Sequence, residues 1–151
     1  MKLTGVDYGR RRIGVAVTDN EGIVVRGLTV IDRKKKPDSL DELVKIIENE
    51  KTEAIVFGLP LGDMDQETTM SAEVREFASK VAQRCALPIH FVDESFTSQK
   101  AAQLMMFRKK KERRDKGLSD RIAACLILET YLEVEMFLRR ERLAVVPPIK
   151  S

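Results

Sequence analysis

The chain has 151 residues, of which 43% are hydrophobic and 34% charged, as expected of one soluble globular domain. We assign this domain to residues 1–143 and expect residues 144–151 to form an irregular tail. It has no apolar N-terminal run, so the sequence predicts no secretory signal. Its most apolar stretch, residues 122–138, is interrupted by three glutamates, which argues against a membrane span. Cys85 and Cys125 lack the spacing of a metal site and are predicted to be core thiols of a cytoplasmic protein.

The net charge is only +3, but many of the basic residues are concentrated in three runs, 10–12, 33–36 and 108–116. Outside these runs acidic residues outnumber basic ones, a distribution expected of a protein that binds a polyanion at defined places. The third run is expected to contact phosphates through four side chains: Lys109, Lys110, Lys111 and Arg113. The alternative, that the runs are solvated connectors, stays open at this point.

The first third of the chain predicts three consecutive antiparallel strands, because stretches rich in β-branched residues alternate with turns. These predicted strands are Leu3–Asp7, Ile13–Thr18 and Ile23–Ile31. A helix is expected next, since Ser39 and Glu42 have the spacing of a capping box. The short apolar run 54–57 then predicts a buried strand parallel to the first.

Apolar residues at helical spacing between positions 74 and 85 predict a second helix. A fifth strand is expected at 88–92, and its His90 is expected to pack or to face solvent rather than to catalyse. Thr97 can cap a short third helix and Ser119 a long last one. The order βββαβαβαα predicts an α/β fold: a mixed five-stranded sheet with helices on both faces.

Three acidic residues lie at the ends of three predicted elements: Asp7 ends the first strand, Glu94 follows the fifth, and Asp120 opens the last helix. Mg²⁺ and Mn²⁺ prefer oxygen ligands, and two such ions about 3.5–4 Å apart are a common means of hydrolysing phosphodiesters. Simpler interpretations remain, because a turn explains an aspartate beside Gly9 and the helix dipole favours a carboxylate at a helix start. Asp93 also competes with Glu94, since successive side chains of a strand face opposite sides.

Four segments carry a resemblance to a known family, and in chain order they are DYGRRRIGVAVTD, IVFGLPLGDMD, FVDESFTSQKA and SDRIAACLIL. In this order they resemble the YqgF/RuvX family of Holliday-junction resolvases, some members of which are similar to nucleases for precursor ribosomal RNA. The resemblance extends from Asp7 to about Leu132. The chain departs from the family pattern at 62–69, where the usual Met-Asp/Asn-Gly-Thr turn lacks its glycine, so that loop's conformation is not carried over.

The resemblance implies a ribonuclease-H-like fold and a metal-dependent nuclease that uses Mg²⁺ or Mn²⁺. It assigns Asp7, Glu94 and Asp120 as catalytic residues and metal ligands. It also aligns Arg12 with the basic residue before Ile-Gly in the family motif, where contact with a substrate phosphate is expected. The implied activity is two-metal hydrolysis of phosphodiesters, either in Holliday junctions or at the 5′ end of precursor 16S ribosomal RNA.

Branched DNA and precursor rRNA are therefore the expected partners, with no membrane contact and with a homodimer on a two-fold symmetric junction. Two other classes of protein compete with the nuclease. A sugar-kinase or actin-like lobe also begins with Asp-x-Gly and a hairpin, but those ATPases close two lobes on a nucleotide and 151 residues supply one. A catalytically silent nucleic-acid-binding adaptor would have no need of all three acids.

Overall fold

A computed structural model of the chain describes residues 1–94 and 116–144. The strands are β1 (Leu3–Tyr8), β2 (Arg12–Thr18), β3 (Val25–Asp32), β4 (Ala54–Leu59) and β5 (Ile89–Asp93). The helices are α1 (Ser39–Asn49), α2 (Thr69–Cys85) and α3 (Lys116–Ala144), and a 3-10 turn, Asp63–Asp65, precedes α2. The short helix predicted after Thr97 lies outside the described residues, as does the tail 145–151, so the domain boundary near 143 stays a prediction.

The five strands form one sheet in the order β3-β2-β1-β4-β5. The pairs β1–β2 and β2–β3 are antiparallel, whereas β1–β4 and β4–β5 are parallel. This arrangement confirms the predicted mixed sheet. The antiparallel hairpins need only short turns, and the parallel pairs are connected through α1 and α2.

Helices cover both faces of the sheet, as predicted. On one face α1 and α2 enclose a core that includes Val6, Ile13 and Phe57. On the other face α3 packs, through Ala124, Ile127 and Leu128, against small side chains of the sheet. All six residues of β4 are buried, which explains why the sequence of this strand is a continuous apolar run.

Several predicted boundaries in the first half of the chain differ from the structure, and two of them were wrong because an aspartate side chain binds backbone amides there. The predicted third strand began at Ile23, but Asp19 Oδ1 accepts hydrogen bonds from the amides of Ile23 (2.8 Å) and Val24 (3.3 Å), so these residues belong to the turn. The predicted cap Ser39 is the first helical residue of α1 instead, because Asp38 accepts from the amide of Asp41 at 3.2 Å. An aspartate caps a helix as well as a serine does.

The start of the last helix also differs from the prediction. Ser119 was expected to cap it, but α3 already includes Lys116 and Gly117, so Ser119 lies inside the helix. A glycine within a helix costs only about 1 kcal/mol, which packing of α3 on the sheet can offset. Asp120 consequently lies in the second turn rather than the first, and the macrodipole alone no longer accounts for a carboxylate there. Among the helices in the described ranges, none combines the length and apolar character needed to cross a membrane.

Candidate active site

The sheet brings Asp7 and Glu94 to the same face, the one covered by α3. On β5, His90 and Val92 contact that side, so the two-residue period of the strand turns its last residue, Asp93, to the opposite side. A Cβ placed on Gly58 of β4 would lie 3.3 Å from the carboxyl carbon of Glu94, so Glu94 lies over the backbone of that strand. Of the two neighbouring acids, Glu94 is therefore the one that shares a face with Asp7.

Asp7 is a partly buried carboxyl group with acidic neighbours. Burial raises its pKa well above the ordinary value, a hydrogen bond with Glu94 raises it further, and the negative charges of Glu94 and Asp120 add to the effect. A hydrogen bond between two carboxyl groups needs a proton on one of the two. The three acids singled out in the sequence therefore influence one another within one region of the fold.

Asp120 is held close to this region by the contact of α3 with β2. A Cβ on Gly14 would lie 2.2 Å from the carbonyl oxygen of Asp120, so the helix backbone rests directly on the strand. Gly14 is also the direct cross-strand partner of Asp7. Only glycine permits this approach, because any side chain at position 14 would occupy the space of the helix backbone.

The carboxylate of Asp120 is bound to Arg12, the first residue of β2. Arg12 Nε donates to Asp120 Oδ2 at 2.7 Å, and the two side chains are 30% and 23% exposed. This length is usual for a hydrogen bond between charged groups, and partial burial protects the contact from solvent screening. Arg12 thus lies at the edge of the acidic region, where the family resemblance had assigned it to a substrate phosphate.

The chemistry of the three acids fits a hard divalent cation, because all their donor atoms are carboxylate oxygens. Their arrangement fits less closely: along residues 1–94 and 116–144, no three His, Cys, Asp or Glu side chains are gathered tightly enough to hold one ion. Asp120 is paired with Arg12, and Asp7 with Glu94. A shared ion would require these three carboxylates to move closer together.

Two features of the sequence remain to be located, the basic run 108–116 and the loop at 62–69. The basic residues Lys109, Lys110, Lys111 and Arg113 lie outside the described residues. The loop that lacks the family glycine turns through Met64 and Asp65, which both have left-handed backbone angles (φ 56° and 58°). The amide of Gly62 closes this turn by donating to the carbonyl of Gln66 at 2.7 Å.

Sequence reasoning missed two residues that shape the site, Gly14 and Gly58. Neither has a functional group, but each lets another element approach the sheet: the α3 backbone over Gly14, and Ile127 together with Glu94 over Gly58. A glycine inside an otherwise β-branched strand was the available signal, since such a residue commonly marks close approach of another backbone.

Comparison with known proteins gives one consistent family. Residues 1–134 match the family model described as "RuvX: Holliday junction resolvase". A protein of Crocosphaera subtropica named "Putative pre-16S rRNA nuclease" is 37% identical over 130 residues, which are 85% of this chain and 90% of that protein. A protein of the same name from Koribacter versatilis is 36% identical over 143 residues, covering 95% and 94% of the two chains.

Resolvases are among the solved structures with a similar fold. The Thermus thermophilus RuvC structure has a TM-score of 0.56 at 15% identity and covers 89% of this chain and 97% of its own. The Fowlpox virus resolvase, in complex with substrate Holliday junction DNA, has a TM-score of 0.59 at 11% identity and covers 89% and 98%. At such low identity these similarities concern the fold alone, and they confirm the ribonuclease-H-like architecture. The match over residues 1–134, together with the relatives above 35% identity, means that the chain belongs to the RuvX Holliday junction resolvase family.

Proposed function

We propose that this protein is a metal-dependent endonuclease that hydrolyses phosphodiesters in structured nucleic acid, with Asp7, Glu94 and Asp120 as its catalytic carboxylates. The observation that carries the proposal is geometric: Glu94 lies on the sheet face that α3 covers, and Asp120 of α3 lies against Gly14, the cross-strand partner of Asp7. The pKa of Asp7, raised by burial, by its hydrogen bond with Glu94 and by the charges of Glu94 and Asp120, agrees with this placement. A buried acid with acidic neighbours is unfavourable for folding unless a cation binds there. A nuclease has a use for such a cation, and an inert adaptor has none.

We infer that the three carboxylates hold Mg²⁺ or Mn²⁺. When bound, such ions supply a nucleophilic water and stabilise the leaving 3′ oxygen of a phosphodiester. The protein's own residues have simpler roles. Asp7 and Glu94 present their oxygens from the sheet, Asp120 presents its oxygens from α3, and Arg12 offers a guanidinium to a phosphate at the edge of the site.

Two substrates agree with the family. The family model and the structural neighbours are Holliday junction resolvases, whereas the relatives above 35% identity are named for precursor 16S rRNA. Both substrates present closely spaced phosphates, and contacts to phosphate do not distinguish sequences. The basic run 108–116 and Arg12 serve either one in this proposal. Cleavage of a junction would further require two copies of the chain, one for each of its two-fold related strands.

The deciding experiment compares cleavage of a synthetic four-way junction with cleavage of a precursor 16S rRNA fragment, each in Mg²⁺, in Mn²⁺ and in EDTA. We expect cleavage of at least one substrate with either ion and none in EDTA. Asp7→Asn should abolish cleavage while the variant still folds and binds the substrate. An Asp7→Asn protein that cleaves at the parental rate would mean that the carboxylates have no role in the mechanism.

Two further measurements separate the alternatives. The solution mass with and without the junction reports whether a dimer forms on DNA, as a resolvase needs. The melting temperature with and without Mg²⁺ tests the silent adaptor, because an adaptor without a cation site should gain no stability from the ion.

A further inference from the structure

The ion pair between Arg12 and Asp120 bears on how the site binds its ligands, and its interpretation rests on the proposed function. We propose that Arg12 is a positioning residue that keeps Asp120 away from the other two acids until a phosphate of the nucleic acid binds. Divalent cation and nucleic acid then bind with positive cooperativity. Arg12 is thus more than a phosphate contact, because it links the two binding events.

The backbone that carries Asp120 is fixed relative to the sheet, because α3 lies directly against β2 at Gly14. Arg12 is only two residues from Gly14 on the same strand and therefore faces the same helix. Asp120 can then change partner only by rotating its side chain, with its Cα held in place.

Two sets of partners are open to the side chain of Asp120. On one side is Arg12, whose Nε is 2.7 Å from Oδ2. On the other side are Asp7 and Glu94, whose charges oppose that of Asp120 when no cation is present. Repulsion by Asp7 and Glu94 and attraction by Arg12 both favour the same position of the Asp120 side chain. Asp120 therefore stays with Arg12 in the metal-free protein.

Cation and nucleic acid each compete for one partner of this ion pair, so both act against it. A divalent cation at Asp7 and Glu94 competes with Arg12 for Asp120, so the ion pair opposes completion of the metal site. A phosphodiester at the edge of the site offers Arg12 another anionic partner, and a guanidinium binds phosphate as readily as it binds carboxylate. Nucleic acid therefore frees Asp120 for the cation, and by linkage the cation strengthens binding of nucleic acid by the same factor.

The test measures Mn²⁺ binding by calorimetry in the parent, Arg12→Gln and Arg11→Gln proteins. Arg11 is the matched control, because its replacement removes the same charge one residue away, whereas its guanidinium pairs with Asp32, at 3.6 Å, rather than with the three acids. We expect Arg12→Gln to bind Mn²⁺ more tightly than Arg11→Gln by a factor within the usual range of coupling, about 5- to 150-fold. Arg12→Lys, which keeps the charge but lacks the planar guanidinium, should fall between Arg12→Gln and the parent.

The same titrations are repeated at low temperature with a four-way junction, with gel electrophoresis to show that the DNA stays intact. Junction should tighten Mn²⁺ binding to the parent and to Arg11→Gln, but not to Arg12→Gln, in which Asp120 is already free. If Arg12→Gln and Arg11→Gln bind Mn²⁺ equally, or if both respond equally to DNA, the positioning role of Arg12 is wrong even though the nuclease proposal stands. If neither the parent nor Arg12→Gln binds Mn²⁺, or if Asp7→Asn binds it as the parent does, the metal assignment itself fails.

Discussion

The ring of His90 lies 5.0 Å from the ring of Tyr131, with 33° between their planes. His90 is on β5, the strand that leads to Glu94, and Tyr131 is on α3, the helix that carries Asp120. The pair therefore connects the two elements that supply the second and third acids of the candidate site. As the sequence suggested, His90 has a packing role.

Replacing Tyr131 by leucine should lower the free energy of unfolding by about 0.5–1.5 kcal/mol, because it removes the ring contact but keeps an apolar side chain. Urea denaturation measures this change. Val134→Ala, at a position on the same helix that is 47% exposed, is the control and should stay within about 0.5 kcal/mol of the parent. Equal stabilities for the two variants would mean that the ring contact contributes nothing.

Gly14→Ala should reduce both stability and cleavage. Its Cβ would lie 2.2 Å from the carbonyl oxygen of Asp120, and a helix backbone cannot yield as a flexible side chain can. Overpacking of this kind costs about 1–3 kcal/mol, and the expected displacement of α3 moves Asp120 with it. Gly62→Ala is the control, since its Cβ would meet nothing closer than 3.4 Å. Urea denaturation and the junction assay together would refute the prediction if Gly14→Ala matched the parent in both.

The acidic region should make the metal-free protein less stable as the pH rises. The pKa of Asp7 is raised in the folded state, chiefly by burial, so below the unfolded value of about 3.9 the group is protonated in both states and opposes folding least. Above that value the unfolded chain ionises first, and stability falls until the pH passes the folded-state pKa. Thermal denaturation in EDTA across this range should show the decrease.

Asp7→Asn provides the matched comparison for that pH dependence, because it removes the titrating group and keeps the shape. In EDTA at neutral pH the variant should melt at or above the parental temperature, and it should gain less from added Mg²⁺. A variant that melts below the parent in EDTA would indicate that Asp7 is a structural hydrogen-bonding residue.

Replacing Lys109, Lys110, Lys111 and Arg113 by alanine should weaken binding of nucleic acid without regard to its sequence. Each phosphate that the variant no longer neutralises should flatten the slope of log K against log salt by about 0.9 on duplex DNA, because fewer counterions are released. Titrations at several salt concentrations measure the slope. Metal affinity should hardly change, since none of the four is a proposed ligand. An unchanged slope would make the run a solvated connector and transfer the role to residues 10–12.

The sequence predicted what depends on local pattern. Alternation and turns indicated the five strands and their directions, and the acidic residues at element ends indicated one site. The local pattern could not predict contacts between elements that are distant in the chain. The choice of Glu94 over Asp93 came from the family motif and not from the local pattern, and the partner of Arg12 required the position of α3 on β2. Ser39 and Ser119 were misplaced as caps because several residues near a helix start can satisfy the same rule.

The contact between Gly14 and Asp120 affects how members of this family should be judged active or inactive. Retention of the acidic residues alone is an insufficient criterion, because the distance from α3 to the sheet depends on a position that has no side chain. A homologue with all three acids and a bulky residue at the position equivalent to 14 would keep the proposed ligands and lose their spacing. Reliable classification therefore needs the strand glycine to be scored together with the carboxylates.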